Sequence, residues 1–118
     1  MKKQVILQIL SLEAFCKLSD TAKALYSLLL VSADPKGFTE VHNAMALYNA
    51  PTTALMELAD AGFILVMSDN RVITITHWPS IMPGSIQMKS KSVYQPFLKQ
   101  VKAIDGKYQI ISKPEQES

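Results

Sequence analysis

Four lysines close to the C-terminus, Lys89, Lys91, Lys99 and Lys102, form the densest run of one charge in the chain. Ser90 and Ser92 are interleaved with them and Tyr94 lies close by. Cations beside small hydroxyls and an aromatic ring suit phosphate contact and stacking on single-stranded bases. The bland alternative for such a run is a solvated helix face. Arg71, in a polar turn between two apolar runs, is a second candidate for phosphate or the minor groove. Thr52 and Thr53 open a helical segment, where hydroxyls and free N–H groups can meet a phosphate. His77 has only the distant His42 for company and Cys16 is the single cysteine, so no set of metal ligands at a defined spacing is visible. Nor can a nucleophile, base and orienting acid be assembled, and there is no glycine-rich phosphate loop. The residues point to binding rather than catalysis, with no cofactor and no metal.

The elements that must position these side chains can be read from periodicity. Leu18-Ser19-Asp20-Thr21 opens a strong helix that Ser19 or Asp20 can cap. From residue 22 to 33 its apolar residues cover most of the cylinder, which suits a central helix or one contacting a partner. Asp34-Pro35-Lys36-Gly37 is a turn, and Phe38-Thr39 a short strand able to pair with a later hairpin. A second helix is expected over 40–48. A third follows over 52–61, behind Pro51 and ending at Gly62. That third helix has no Lys or Arg and carries Glu57 and Asp60, a solvated acidic face or a protein contact. Residues 63–67 and 72–77 are apolar, β-branched runs around Ser68-Asp69-Asn70-Arg71, a hairpin signal. Val72, Ile73 and Ile75 set against Thr74 and Thr76 predict a sheet with one buried face. His77 and Trp78 close that second strand as structural residues. Residues 79–86 are irregular, 93–104 read as an amphipathic helix with Lys99 and Lys102 on one face, and 108–111 as a last strand. Cys16 reads as a buried apolar residue.

This is an α+β, mainly helical domain: a winged helix-turn-helix of three helices and a two-stranded wing, with a C-terminal helical extension. It divides into an N-terminal arm (1–18), a winged-helix core (19–78) and a basic extension and tail (79–118). At 118 residues one modest core is available, and a hydrophobic share of 48% hints at a surface covered by a partner. The total charge of +2 conceals a contrast. The core is acidic, with six carboxylates against three cations, whereas residues 79–113 hold six lysines against Asp105. The start of the chain lacks the long apolar region of a leader and reads as part of the fold. The lone cysteine fits a reducing cytoplasm, and no apolar run approaches the ~20 residues that span a membrane.

Several of these residues resemble a known family. Ala14-Phe15, Leu18-Ser19, Ala22-Lys23-Ala24-Leu25-Tyr26, Leu29, Ala33-Asp34, Gly37-Phe38, Gly62-Phe63-Ile64, Val72-Ile73, Ile75 and His77-Trp78 resemble the N-terminal domain of phage replisome-organiser and DnaD-like replication initiation proteins. The Ala-Asp-x-x-Gly-Phe turn and the closing His-Trp are its specific parts. The resemblance implies a winged helix that binds DNA, self-associates as a homodimer or higher oligomer, or does both in replication initiation, with helicase loaders among possible partners. The chain departs from the family after Trp78, where Pro79-Ser80-Ile81-Met82-Pro83-Gly84 stands in place of an asparagine and a basic stretch. Nucleic-acid contact is therefore expected from Arg71, Lys89, Lys91, Lys99, Lys102, Thr52 and Thr53. The alternatives are a protein-interaction module for a host or phage replication or transcription factor, and a small phage transcriptional regulator.

Overall fold

The computed structural model describes residues 2–49, 51–67, 71–84 and 94–111. Its first long helix begins where Ser19 turns its hydroxyl back on the chain. Seven helices and five strands follow one another in the order α1 (Lys3–Leu10), α2 (Glu13–Cys16), α3 (Asp20–Ser32), β1 (Phe38–Glu40), α4 (Val41–Tyr48), α5 (Thr52–Asp60), β2 (Ile64–Val66), β3 (Val72–Ile75), α6 (Trp78–Ile81), α7 (Gln95–Leu98), β4 (Val101–Ile104) and β5 (Lys107–Ile110) among the described residues. Ser19 caps α3, its Oγ accepting from the Ala22 amide at 3.1 Å. Ala22, Leu25, Tyr26 and Leu29 of this helix are fully buried, at about 1.5–3 kcal/mol for each large apolar side chain.

Residues read from sequence as an N-terminal arm carry two helices that enter the core. Ile9, Phe15 and Leu18 are buried. Phe15 meets Tyr26 and Phe63 edge-on, both ring centroids at 5.3 Å, and Tyr26 and Phe63 complete the trio at 6.0 Å. The edge-to-face geometry suits the ring quadrupoles.

The larger sheet has the order β1-β3-β2, antiparallel throughout. Phe38 pairs with Thr74 and Glu40 with Val72 on one side of β3, and Ile64 pairs with Ile75 and Val66 with Ile73 on the other. The Thr alternation suggested one buried face, but all four residues of β3 are buried. The second face is covered by the C-terminal segment. Tyr94 stacks on Phe38 at 6.3 Å, and Tyr108 lies 5.9 Å from the same ring. Burial on that face leaves the Thr74 hydroxyl in need of a partner, and it donates to the Gly37 carbonyl at 2.8 Å.

The expected C-terminal helix over 93–104 is replaced by the short α7 and an antiparallel hairpin, β4–β5. Asp105 and Gly106 form its turn at φ 54° and 80°, the two left-handed residues that a tight hairpin of right-handed twist demands. Gly106 is required for space as well, because a Cβ there would strike the Ser80 hydroxyl, which donates to the Gly106 carbonyl at 2.8 Å. Two more bonds fasten the hairpin to the body: the Tyr108 amide donates to the Thr76 carbonyl and the Tyr108 hydroxyl to the Lys36 carbonyl, both at 2.7 Å.

Candidate nucleic-acid interface

Pairing of β1 with β3 decides where Arg71 lies. Because Glu40 is opposite Val72, the residue before β3 is carried to the start of α4, and the Val41 amide donates to the Arg71 carbonyl at 2.8 Å. The helix that follows, α5, begins with Thr52 behind Pro51. Thr52 and Arg71 thereby come to line one open cleft of about 580 Å³, together with Glu40, Val41, His42, Met45 and Ala46. Among the described residues, neither α4 nor α5 has a side-chain cap at its N-terminus. The first turns of both helices therefore direct positive dipole ends toward the region of an arginine and a threonine hydroxyl. Such an arrangement can hold an anion, against the opposing charge of Glu40. Thr53, one residue on, is exposed.

The acidic face of α5 proves to be largely an internal fastening. Glu57 Oε2 accepts from the Ser19 amide and Oε1 from the Ser19 hydroxyl, each at 2.7 Å. These two hydrogen bonds hold the Glu57 carboxyl below its ordinary pKa. Glu57 thus ties the third helix of the core to the start of the first. Of the two carboxylates noted on this helix, Asp60 remains an exposed residue.

Lys99 and Lys102 do not share a helix face. Lys99 is the C-cap of α7, and Lys102 belongs to β4, where it pairs with Gln109. Alternation along the hairpin instead places Lys102, Ile104, Lys107 and Gln109 on one face, while Val101 and Tyr108 are buried on the other. Lys107 was missed as a partner of Lys102 because the segment was read with a helical period. Lys89 and Lys91 lie outside the described residues.

The two specific parts of the resemblance meet in space. The Trp78 indole Nε1 donates to the Pro35 carbonyl at 3.0 Å, and a Cβ at Gly37 would collide with the indole ring. Gly37 has φ 91°, so both conformation and space demand glycine there. Asp34 shapes the same turn, its Oδ1 accepting from the amides of Lys36 at 2.9 Å and Phe38 at 3.0 Å. Trp78 thus closes onto the turn that follows α3. His77 beside it is half-buried, and its pKa is pushed down first by burial and then by the positive charge of Lys107. Cys16 is exposed rather than buried, with its thiol 3.7 Å from the Leu10 carbonyl, because the buried face of the short α2 is taken by Phe15.

Among the described residues no group of three or more His, Cys, Asp or Glu side chains is gathered as for a metal ion. No helix among them is long and apolar enough to cross a membrane. No protein-family model, no curated protein and no solved structure matches the chain.

Proposed function

We propose that the chain is a non-enzymatic winged-helix module that contacts the DNA backbone as an accessory in phage or prophage replication initiation. Support for the winged helix comes from the run α3-β1-α4-α5-β2-β3 with sheet order β1-β3-β2, in which β2–β3 would be the wing and α5 the helix offered to the groove. The observation that carries DNA contact is the convergence of Thr52 and Arg71 on one cleft at the starts of α4 and α5. The exposed hairpin face with Lys102 and Lys107 supplies further phosphate contacts. Replication is the role that the sequence resemblance implies. Base-specific readout as in a repressor is less favoured, since α5 carries no Arg, Lys, Asn or Gln.

Fluorescence anisotropy with a short labelled duplex and a single strand tests this reading. Affinity should fall steeply as salt rises, and Arg71→Ala should reduce the salt slope by about one. Absence of binding at low salt rejects it.

A second reading rests on exposed apolar side chains. Val31 of α3 is 77% exposed and Met56 of α5 is 54% exposed, although these two helices pack together. In this reading they meet a second copy or a replication protein. Light scattering on a concentration series distinguishes the two, a monomer throughout counting against self-association.

A further inference from the structure

We propose that a second cleft, between α1, α6 and the start of β5, binds a small organic carboxylate with an apolar tail. The cleft holds about 330 Å³, which suits a small ligand. It lies where α1 packs on α6, an arrangement fastened by the Lys2 amide donating to the Ile81 carbonyl at 2.9 Å. Val5, Ile9 and Leu12 form an apolar wall. Gln8, His77, Ser80 and Lys107 supply the polar side, so an amide, an imidazole, a hydroxyl and an ammonium converge on one space.

The chemistry of these groups selects the ligand. Lys107 is the charged residue lining the cleft and His77 the titratable one, and α6 contributes no ionisable side chain. The Ser80 hydroxyl already donates its proton to the Gly106 carbonyl, so the donors left to meet an acceptor group at this polar rim are the Lys107 ammonium and the Gln8 amide. A carboxylate at this rim is drawn by the Lys107 ammonium, and its hydrocarbon portion is removed from water against Val5, Ile9 and Leu12. The imidazole adds a second observation. His77 Nδ1 is buried with no hydrogen-bond partner among the described residues, a cost that a bound group relieves. Burial and Lys107 both hold His77 toward its neutral form. A bound carboxylate offsets Lys107, so it raises the His77 pKa, and by linkage it binds more tightly as pH falls through that value.

The chain contains two histidines, His42 and His77, and His42 lines the other cleft, which makes it an internal control. Imidazole signals are followed by NMR while the full chain is titrated with hexanoate, acetate or hexan-1-ol. Hexanoate is expected to move the His77 signals saturably, to raise the pH midpoint of His77, and to leave His42 in place. Acetate and hexan-1-ol should each bind about tenfold more weakly or less. Lys107→Gln, at an exposed position where folding is retained, should weaken hexanoate at least fivefold. The proposal is overturned by the absence of a saturable shift at His77. It is equally overturned if hexan-1-ol or acetate matches hexanoate, or if Lys107→Gln leaves the affinity unchanged.

Discussion

The two hairpins of this protein are built to opposite ends. In β2–β3 the second strand is the centre of a sheet, buried on both faces, and its flanks are locked by Trp78 against the Asp34–Gly37 turn. In β4–β5 one face is anchored through Val101 and Tyr108, and the other presents Lys102, Lys107 and Gln109. The strands of the first hairpin spend their side chains on packing, and among its described residues the charge sits at Arg71, just before β3. The second is a thin layer whose buried face seals the first and whose open face carries charge. The packed strands of the first hairpin therefore carry stability and the open face of the second carries charge, and substitutions should sort accordingly.

The largest effect is expected at the lock. Trp78→Ala should cost about 3–5 kcal/mol by loss of the buried indole and its bond to Pro35, measured by urea unfolding followed by circular dichroism. Gly37→Ala should cost about 2 kcal/mol, from its left-handed backbone and from collision with the same ring, in the same assay. A cost within 0.5 kcal/mol for either would break the contrast. Tyr108→Phe probes the seal between the hairpins and should cost about 1–2 kcal/mol, because the buried Lys36 carbonyl loses its donor.

At the start of α3 the expected effect is smaller and pH-dependent. Ser19→Ala should cost about 1 kcal/mol by loss of the cap. The Glu57 carboxyl has a folded pKa below its ordinary value of 4.5, so its contribution is fully present above that value and is lost as pH falls through the lower folded one. The stability difference between the native chain and Glu57→Gln should accordingly shrink in acid, as a pH series of unfolding curves will show. Smallest of all, Lys102→Ala on the open face should leave stability within about 0.5 kcal/mol while lowering the salt slope of DNA binding.

Much of the first hairpin and its helices was legible from local signals. Ser19 is a good cap, Phe38-Thr39 does pair with the hairpin strand, and α5 occupies the segment behind Pro51, because each depends on residues close in sequence or on a strict period. The second hairpin was missed although Ile104-Asp105-Gly106-Lys107 contains a strong turn signal. The apolar residues Phe97, Leu98, Val101 and Ile104 fit a helical spacing, and over so short a run the two periods compete. The Asp105-Gly106 turn and the bonds of Tyr108 to Thr76 and Lys36 favour the strands.

The candidate sites divide in the same way. Arg71 and Thr52 were visible as residue types able to meet phosphate, but nineteen positions of sequence separate them. Their union in one cleft follows from the register of β1 on β3, which no local pattern states. Glu57 read as part of a solvated acidic face or a protein contact, and the fold gives it to Ser19. By itself the sequence determined which segments could be helix or strand, where the caps and turns fall, and that the lysines gather toward the C-terminus. Backbone geometry and hydrophobic period act over a few residues, so a chain writes them locally. Tertiary structure alone decided which faces are sealed, which lysines stand together and which carboxylate is spoken for. Those outcomes arise from contacts between distant residues, whose energies exist only once the core has brought them together.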